Sequence, residues 1–310
     1  MNNPKAKYIF LNGQFVSYVD AKIHVLTPAA KYGATVYEGI RGYWVPEENE
    51  LYLFRLDDHL RRLFHSMEMT WMKPPYTLDE FKKHIISLIQ KNDFKEDIHI
   101  RIMVFVLSDD GSMISTAPIG ASIAALPMGR ISSKSETGLN CAVSSWRRIS
   151  DNSTPPRIKC AGNYQNSRLA GIQVNLDGYD NVIILNENGK VSEGAGSNIF
   201  LIRKGIPLTP SVTSNILEGI TRDTIIRLFN EKHGLKTIER EIDRSELYVA
   251  EEIFYCGSAS EIVPIISVDK HKISEGHVGP LTKTVKASFL NLVKGKEASH
   301  KEWRTSVYSS

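Results

Sequence analysis

The stretch 181-NVIILNENGKVSEGAGSNIFLI-202 contains two apolar runs joined by the turn Asn-Glu-Asn-Gly, with a glycine-rich bend in its second half. Such runs are typical of strands, and the short turn predicts an antiparallel pair with no helix between its strands. Elsewhere in the chain, helix-like and strand-like segments mix without a regular βαβ repeat. This mixture favours two α+β domains over a doubly wound parallel sheet.

The first part of the chain shows a hairpin signal and two helix signals. Asn12-Gly13 separates two short β-like runs in "YIFLNGQFVSY", the strongest short-range signal for a hairpin. Helical periodicity follows in "DDHLRRLFHSMEM", with Asp57 or Asp58 as the predicted N-cap. It returns in "TLDEFKKHIISLIQ", where Thr77 and Glu80 have the spacing of a capping box.

The segment "IHIRIMVFVL" alternates like a strand with two different faces. The face predicted to meet a core carries Ile98, Ile100, Ile102 and Val104. The opposite face carries His99, Arg101, Met103 and Phe105. Alternation makes that second face either a pocket wall or a surface open to solvent.

The length of 310 residues is enough for about two domains of ordinary size. The polar, small-residue stretch "GRISSKSET" at 129–137 is the best linker candidate. We therefore expect a small N-terminal domain at 1–128, an interdomain linker at 129–137 and a larger domain at 138–310.

Composition limits the class of protein. Hydrophobic residues make up 42% of the chain and charged residues 24%, which excludes wholesale disorder. A net charge of +3 is too small to indicate a nucleic acid or an anionic membrane as partner. No apolar run has the length of a membrane span, and "MNNPKAKYIF" lacks the features of a signal peptide. Three widely spaced cysteines suit a reducing compartment, so we expect a cytoplasmic protein.

The nine histidines do not form a metal-binding pattern. His59 and His65 are six residues apart, which is off the spacing that places two ligands on one helix face. No HExxH motif, EF-hand loop or Cys/His cluster is present in the sequence. We therefore predict no metal site.

The segment "PRIKCAGNY", Pro156–Tyr164, places Lys159 among apolar and small residues that could solvate its charge only poorly. One interpretation is a lysine at a strand edge, whose stem packs while its ammonium reaches water. The other is an amine shielded from water so that it can condense with a carbonyl group. Tyr164 is accordingly either a core tyrosine or a phenol beside such a group.

Three more segments carry the same kind of ambiguity. Glu193 is either a solvated acid in a turn or a carboxylate that pairs with a protonated ring nitrogen. The residues 219-GIT-221 begin a helix whose first N–H groups either bind an anion or are capped by Thr221. The residues 257-GSA-259 either allow a ligand close to the backbone or form a plain turn.

Taken together and in this order, the segments resemble the class IV pyridoxal-phosphate aminotransferases. The motifs are KxxGNY from Lys159, SEGxGSNxF from Ser192, GITRD from Gly219 and GSASEIVPI from Gly257. The resemblance extends to "YGATVYEGIRGY" at 32–43 and to HxxRLxxS at 59–66, so it covers nearly the whole chain. Among class IV enzymes, "YEGIRGY" is most similar to the branched-chain amino acid aminotransferases.

This resemblance implies the two-domain fold-type IV architecture: a small α/β domain and a larger, β-barrel-like α+β domain that binds pyridoxal 5′-phosphate. It implies a ping-pong transaminase that moves the amino group of leucine, isoleucine or valine to 2-oxoglutarate. It also implies a homodimer or a higher homo-oligomer.

The resemblance assigns cofactor contacts residue by residue. Lys159 resembles the lysine that bonds covalently to the cofactor and moves a proton at the substrate Cα. Tyr164 matches the tyrosine on the cofactor's phenolic oxygen, Glu193 the acid on its ring nitrogen and Arg62 the arginine on its phosphate. The remaining matches to cofactor contacts are Ile220, Thr221 and Ser258.

The resemblance also implies a substrate pocket in which Arg101 receives the side-chain carboxylate of glutamate and Tyr32 comes from a second subunit. The matching positions are Tyr32, Tyr37, Gly39, His99, Arg101, Met113, Met128, Ser258 and Ala259. Four departures affect this pocket. His99 replaces an expected tyrosine, Ile102 an expected proline, Met128 an expected aromatic residue, and "DDGSM" at 109–113 an expected Gly-x-Gly-Val loop.

Two kinds of alternative stay open. The first is another class IV enzyme: a D-amino acid or (R)-amine transaminase, or an aminodeoxychorismate lyase. The second is a non-catalytic protein that carries the cofactor.

Overall fold

The computed structural model describes residues 6–129 and 133–309. Residues 130–132 of the predicted linker, and residues 1–5 of the segment inspected for a signal peptide, lie outside this range. The division into 1–128, 129–137 and 138–310 stays a prediction. The chain folds into two compact units, and the first unit includes Ile158–Gly162 and Leu292–Ser310 in addition to residues up to Gly129.

The first unit is built on a seven-stranded sheet in which every strand pair is antiparallel. The strand order is β16-β4-β3-β5-β6-β1-β2. The strands are β1 (Tyr8–Leu11), β2 (Gln14–Ser17), β3 (Thr35–Val45), β4 (Glu50–Phe54), β5 (Ile98–Val106), β6 (Ile119–Pro127) and β16 (Arg304–Ser306). Its helices are α1 (Pro28–Tyr32), α2 (Leu56–Met69) and α3 (Leu78–Asn92).

One face of this sheet is buried beneath α2 and α3. The alternation predicted for β5 is confirmed, since Ile98, Ile100, Ile102 and Val104 all lie in this core. The predicted apolar face of α3 lies in the same core, with Phe81, Ile85, Leu88 and Ile89 completely buried. Burial of each such side chain stabilises the folded state by roughly 1.5–3 kcal/mol relative to exposure. A shift in strand register would expose these side chains, so the register is strongly fixed.

The local signals in this unit are largely confirmed. Asn12 and Gly13, with φ of 49° and 88°, connect β1 to β2 as a hairpin. Thr77 and Glu80 form the predicted capping box of α3. The predicted Asp57 or Asp58 cap of α2 is wrong. The N-cap is Arg55, two residues before Asp57 and in a left-handed conformation, and Asp58 instead accepts a hydrogen bond from Arg55 Nε at 2.6 Å.

The second unit is built on a nine-stranded mixed sheet, in the order β12-β11-β10-β13-β14-β7-β8-β9, with β15 paired to β14. The strands are β7 (Leu139–Arg147), β8 (Asn181–Leu185), β9 (Val191–Gly194), β10 (Asn198–Arg203), β11 (Ile206–Pro210), β12 (Ile238–Arg240), β13 (Glu252–Gly257), β14 (Glu261–Val268) and β15 (His271–Lys272). The helices are α4 (Tyr164–Leu176), α5 (Ile220–His233) and α6 (Pro280–Val293), the last of which ends in the first unit.

The connections in the second unit confirm an α+β architecture. The 181–202 stretch forms β8 and β9 as an antiparallel pair, followed by β10 after the glycine-rich bend. Parallel pairing occurs between β7 and β8, between β11 and β12 and between β14 and β7. The first two pairs each have one α-helix in their connection. These two βαβ units are isolated, so the sheet is not doubly wound. None of the helices within the described residues combines the length and apolarity of a membrane span.

The segment 158–162 belongs to the first unit because it adds to a free edge of β3. Strand β4 pairs only with Gly42–Val45 of β3, which leaves the N-terminal half of that edge available. Cys160 forms a bridge with Val36, and the Tyr37 N–H donates to the Lys159 carbonyl at 2.9 Å. The backbone of Lys159 is therefore fixed to the sheet.

Candidate active site

Lys159 is held at three points within the first unit. Besides its carbonyl contact with Tyr37, its N–H donates to Ser66 Oγ on α2 at 3.2 Å. Its Nζ atom lies 4.8 Å from the centroid of the Tyr37 ring. The side chain is half-buried, so the strand-edge position that the sequence allowed is the one observed. Its amine is nevertheless oriented by an aromatic ring.

A buried charge cluster lies between β3 and α2. Glu38 accepts hydrogen bonds from Arg62 Nε at 2.7 Å and Arg62 Nη2 at 2.9 Å. The Nδ1 atom of His59 lies 2.7 Å from the second oxygen of Glu38. Because His59 and Arg62 are three residues apart on one helix face, both reach the same carboxylate. This fork fixes the direction of the Arg62 guanidinium.

The electrostatics of this cluster favour an ionised acid beside a neutral imidazole. Burial alone would raise the pKa of Glu38, but the charge of Arg62 and the hydrogen bond from His59 outweigh it, so the pKa lies well below its usual range. Burial lowers the pKa of His59, against the opposing effect of Glu38. The His59 Nδ1–H is therefore the donor to Glu38 near neutral pH.

The face of the sheet opposite α2 and α3 carries most of the predicted pocket residues of this unit. Arg101 is exposed and lies between Gly39 on β3 and Ala124 on β6, two residues that leave space beside its side chain. Its guanidinium carbon lies 5.0 Å from the Tyr37 ring centroid. Arg101 makes no ion pair with any residue that the structure describes.

His99 lies on the same face, two residues before Arg101, and is only 6% exposed. A Cβ atom built on Gly39 would lie 2.8 Å from His99 Nε2, so the imidazole covers the glycine. Burial, together with the positive charges of Arg101 and Arg41, lowers the pKa of His99 to about 4. The ring is therefore neutral at physiological pH.

Met128 is positioned by a residue that the sequence did not single out. Arg41 is buried, and its Nη1 atom donates to the carbonyl oxygens of Met128 at 2.7 Å and Gly129 at 3.1 Å. Arg41 lies opposite His99 in the strand pairing. Arg41 therefore holds the backbone that follows β6. This backbone lies at the end of the sheet face that carries His99.

Tyr32 and Met113 lie in neighbouring exposed segments of the first unit. Tyr32 is the last residue of α1, and Met113 lies in the loop between β5 and β6. Lys31 Nζ approaches the Gly111 carbonyl of that loop at 3.5 Å. The exposed fractions are 47% for Tyr32 and 69% for Met113, which is unusual for large apolar side chains.

Within the second unit, Glu193 is buried at the end of β9 and strongly hydrogen-bonded. Its Oε1 atom accepts from Nε and Nη2 of the buried Arg148, both at 2.9 Å. Its Oε2 atom accepts from Asn198 Nδ2 and from the Leu217 N–H, both at 3.1 Å. These donors match an ionised carboxylate, and the solvated acid that the sequence allowed is not what the structure contains.

Helix α5 begins next to Glu193. Its N-cap is Gly219, and no side chain of the described residues caps it. Ile220 and Thr221 are buried in its first turn, so capping by Thr221, which the sequence left open, does not occur. A Cβ at Gly219 would collide with Oδ1 of Asn198. Asn198 thus connects the Glu193 carboxylate to the start of α5.

The turn between β13 and β14 adjoins the glycine-rich bend. Ser197 Oγ lies 3.1 Å from Ser260 Oγ, and a Cβ at Gly257 would approach the Gly196 carbonyl at 3.5 Å. Ser258 and Ala259 lie in this turn and are half-buried. Three of the four motifs in this part of the sequence are therefore neighbours, whereas Tyr164 is the first residue of α4.

Glu38 and Arg148 are the main site residues that the sequence reasoning missed. Glu38 could have been found, because it alternates with Val36 and Ile40 on the core face of β3, and a buried acid needs a partner. Arg148 follows the end of β7 and belongs to no periodic pattern. Only the folded chain shows that it reaches Glu193.

Comparisons with known proteins identify the family of this chain. The model of the family described as class IV amino-transferases matches residues 35–268. The branched-chain-amino-acid aminotransferase of Escherichia coli K12 is 38% identical over 99% of each chain. The branched-chain aminotransferase of Thermoproteus uzoniensis, crystallised with norvaline, is 39% identical with a TM-score of 0.93 over 98% of this chain and 100% of that one. The Thermobaculum terrenum enzyme in its PLP form is 38% identical with a TM-score of 0.91, over 98% and 99%.

Proposed function

Since the chain belongs to the class IV aminotransferases, we propose that it is a pyridoxal-phosphate-dependent branched-chain amino acid aminotransferase. It moves the amino group of leucine, isoleucine or valine to 2-oxoglutarate in two half-reactions. The observation that carries the proposal is the surroundings of Tyr37, where the Lys159 amine and the Arg101 guanidinium both lie within 5.0 Å of one ring centroid. An amine for the chemistry and a cation for a carboxylate are thus neighbours.

The residues present fit pyridoxal phosphate. Glu193 supplies a buried carboxylate suited to a protonated ring nitrogen, and the uncapped start of α5 supplies N–H groups suited to a phosphate. Gly219 is needed there because a side chain would collide with Asn198. The residues that would hold the cofactor are Arg62, Lys159, Tyr164, Glu193, Ile220, Thr221 and Ser258.

When bound, pyridoxal phosphate withdraws electrons from the substrate Cα, so that a proton can leave that atom. Lys159 binds the cofactor and then carries that proton to and from the Cα. Ser66 and the Tyr37 N–H fix the Lys159 backbone, so that the side chain pivots from one place. Glu38 holds Arg62, which would contact the phosphate, and His59 holds Glu38. Arg148 and Asn198 hold Glu193 in one orientation.

Substrate selection is assigned to the face that carries Arg101, His99, Gly39, Tyr37 and Met128. Arg101 binds the distal carboxylate of glutamate, while the apolar residues around it accept a branched side chain. The Thermoproteus uzoniensis enzyme was crystallised with norvaline, an amino acid with a straight aliphatic side chain, which supports an apolar pocket.

Replacing Arg101 tests this assignment. Arg101→Ala is expected to raise the barrier for glutamate and 2-oxoglutarate by roughly 2–4 kcal/mol, as for loss of one partner of a buried charge pair. Single-turnover rates with leucine should change much less. An equal loss for leucine and glutamate would mean that Arg101 supports the fold or the cofactor instead.

A homodimer is part of this proposal. Val25, Tyr32, Met113 and Ile114 are large apolar residues with exposed fractions of 73%, 47%, 69% and 84%, and exposed apolar groups of this size often mark a contact with another chain. A second copy that covers these residues would bring its own Tyr32 and Met113 to the substrate pocket. Ser258 and Ala259 are proposed to contact the substrate through their backbone. If light scattering shows that the fully active protein is a monomer, Tyr32 and Met113 do not belong to the site.

A cytoplasmic location is also part of the proposal. Cys141, Cys160 and Cys256 are all free thiols, as suits a reducing compartment.

The reaction is tested with the purified holoenzyme and a panel of amino donors. L-Leucine with 2-oxoglutarate should give glutamate and the 2-oxo acid of leucine, and Lys159→Ala should give neither. Activity confined to D-amino acids or to (R)-amines, or release of pyruvate from aminodeoxychorismate, would point to another class IV reaction. Cofactor binding without turnover of any donor would indicate a carrier protein.

A further inference from the structure

We propose that Arg222 is a positioning residue for the phosphate of the cofactor: it holds the first turn of α5 against β11, so that the N–H groups at the start of this helix meet the phosphate. This inference rests on the proposed function and goes further, because the motif GITRD gave a role to Gly219, Ile220 and Thr221 but none to Arg222. Arg222 acts through the helix and not by contact with the cofactor.

Arg222 occupies a place that elementary electrostatics disfavours for a cation. It lies in the first turn of α5 and is only 5% exposed. The helix dipole puts a partial positive charge at this end, so the helix itself opposes an arginine here. Burial of a charged group is also unfavourable unless the group is paired and hydrogen-bonded. A residue that breaks a local rule in this way is expected where function requires it.

The guanidinium group of Arg222 attaches α5 to two strands. Its Nε atom donates to Thr209 Oγ1 at 3.3 Å and its Nη2 atom to the Pro210 carbonyl at 2.9 Å, both on β11. Nη2 also donates to Glu239 Oε2 on β12 at 2.6 Å. The acceptors are neighbours because Thr209 pairs with Glu239 in the parallel register. A planar guanidinium can span such a set, whereas a lysine ammonium offers a single point charge.

Thr209 extends this attachment to the strand that carries Asn198. Thr209 is completely buried, and its hydroxyl donates to the Ile199 carbonyl on β10 at 2.8 Å. The Asn198 amide fills the space beside Gly219, and a Cβ on Gly219 would also lie 3.2 Å from the Cβ of Arg222. Asn198 and Arg222 therefore hold the same turn of α5 from two sides.

The charge of Arg222 also reaches the strand that leads into a second segment predicted to contact the cofactor. Cys256 pairs with Asn198 across β13 and β10 and lies two residues before Ser258. Burial raises the pKa of the Cys256 thiol, and the charge of Arg222 acts against this effect. An anion bound at this end of α5 would be attracted by the guanidinium as well as by the helix N-terminus. Such an anion would offset the unfavourable position of the cation.

A purely structural role and a positioning role predict different binding behaviour. If Arg222 only stabilised the fold, its loss would weaken the binding of every ligand of this site to the same extent. If it holds the first turn in place for a phosphate, its loss should weaken a ligand that has a phosphate and spare the same ligand without one.

The test compares pyridoxal phosphate with pyridoxal, which lacks the phosphate. Each is titrated into the cofactor-free full chain, and its dissociation constant is measured from the absorbance of the bound form. The ratio of the pyridoxal constant to the pyridoxal phosphate constant reports what the phosphate contributes. Arg222→Met should lower this ratio about tenfold, with pyridoxal binding unchanged within about twofold. Arg222→Lys keeps the charge but cannot span the acceptors, so it should lower the ratio about threefold.

Arg227→Met is the matched control, because Arg227 lies on the same helix with about half of its side chain exposed. Its ratio should equal that of the wild type. Thr209→Val removes one acceptor of Arg222 and should lower the ratio about threefold, which keeps the test valid if Arg222→Met does not fold.

The proposal is overturned if folded Arg222→Met keeps the wild-type ratio, if both of its dissociation constants rise equally, or if Arg222→Lys matches the wild type. If Arg222→Met does not fold, an unchanged ratio in Thr209→Val overturns it in the same way. If the wild type binds neither compound and stays colourless with both, the proposed function itself is wrong, and the two failures are distinguishable.

Discussion

At the scale of single residues, this molecule depends on a few buried charges that are held by several partners each. Glu38 is completely buried and connects β3 to two side chains of α2. Glu193 is held in the same way by Arg148 and Asn198. In both places the carboxylate orients a neighbouring group, and its loss leaves a buried cation without its counter-charge.

Glu38→Gln should therefore reduce the free energy of unfolding by about 3–5 kcal/mol, because Arg62 keeps its charge and loses the carboxylate. Urea unfolding of the cofactor-free protein measures the change. Asp223→Asn, which removes a pair with Arg227 in which both side chains are about half exposed, is the control and should have an effect below about 1 kcal/mol. Equal, small effects of both substitutions would contradict the account of this cluster.

The motifs singled out Lys159, Arg62 and Glu193 as candidate site residues, but no motif predicted which residues hold them in place. The partners come from distant parts of the chain: Ser66 is 93 residues from Lys159, and Arg148 is 45 residues from Glu193. Such contacts follow from tertiary packing, which no local pattern encodes. The role of Glu38 could have been predicted, since an acid on an otherwise apolar strand face requires a buried partner.

At the scale of elements, we propose that cofactor binding depends most on the start of α5. The helix begins at a glycine, and the space a side chain would take is occupied by the Asn198 amide. Asn198 in turn donates to both Glu193 and the Leu217 carbonyl. A change at this one position thus disturbs the helix N-terminus and the acid together.

Gly219→Ala should weaken binding of pyridoxal phosphate by about tenfold or more, since overpacking of this kind is unfavourable by about 1–3 kcal/mol. Equilibrium titration of the cofactor-free protein measures it. The matched control is Gly171→Ala within α4, where a Cβ would meet nothing within 4 Å; it should leave the affinity unchanged and stabilise the helix by about 0.5–1 kcal/mol. If Gly219→Ala binds pyridoxal phosphate as tightly as the wild type, the phosphate does not bind at the start of this helix.

The C-terminal segment is attached to β4 through one acid, Glu50. Burial would raise the pKa of Glu50, but hydrogen bonds from Ser309, Tyr308 and Val307 outweigh it and lower that pKa to about 2. Since the folded pKa lies below the ordinary value of 4.5, the stabilisation is fully present above about pH 4.5. It is lost as the pH falls from about 4.5 to about 2, and it amounts to roughly 3 kcal/mol.

This prediction is checked by urea unfolding of the wild type and Glu50→Gln between pH 7 and pH 2. The difference in unfolding free energy between the two proteins should shrink as the pH falls through this range. Because other acids also titrate there, only the difference is informative. A constant difference at every pH would mean that Glu50 acts through packing and not through its charge.

Elements with a strong local code were predicted well. The Asn12-Gly13 hairpin and the capping box of α3 both depend on neighbouring residues alone. The predicted cap of α2 was wrong because Asp58 forms an ion pair with Arg55 and does not cap the helix. Competition of this kind between a cap and a charge partner is not visible in residue spacing.

At the scale of the whole molecule, the α+β class followed from the missing βαβ repeat, and the family followed from the order of four motifs. Neither indicates that Ile158–Gly162 and Leu292–Ser310 belong with the first unit. A single β-bridge at Cys160 and a three-residue strand at Arg304–Ser306 have no periodicity to detect. These long-range additions extend the sheet edges, and one of them carries Lys159.

The central claim is that this aminotransferase works through Lys159, and one measurement tests it most directly. The yellow holoenzyme is treated with borohydride, which makes the bond between lysine and cofactor permanent, and the modified peptide is identified by mass spectrometry. We predict a single pyridoxyl group on Lys159, and its loss when L-leucine is added before the borohydride. A pyridoxyl group on any other lysine, or none on Lys159, would contradict the account.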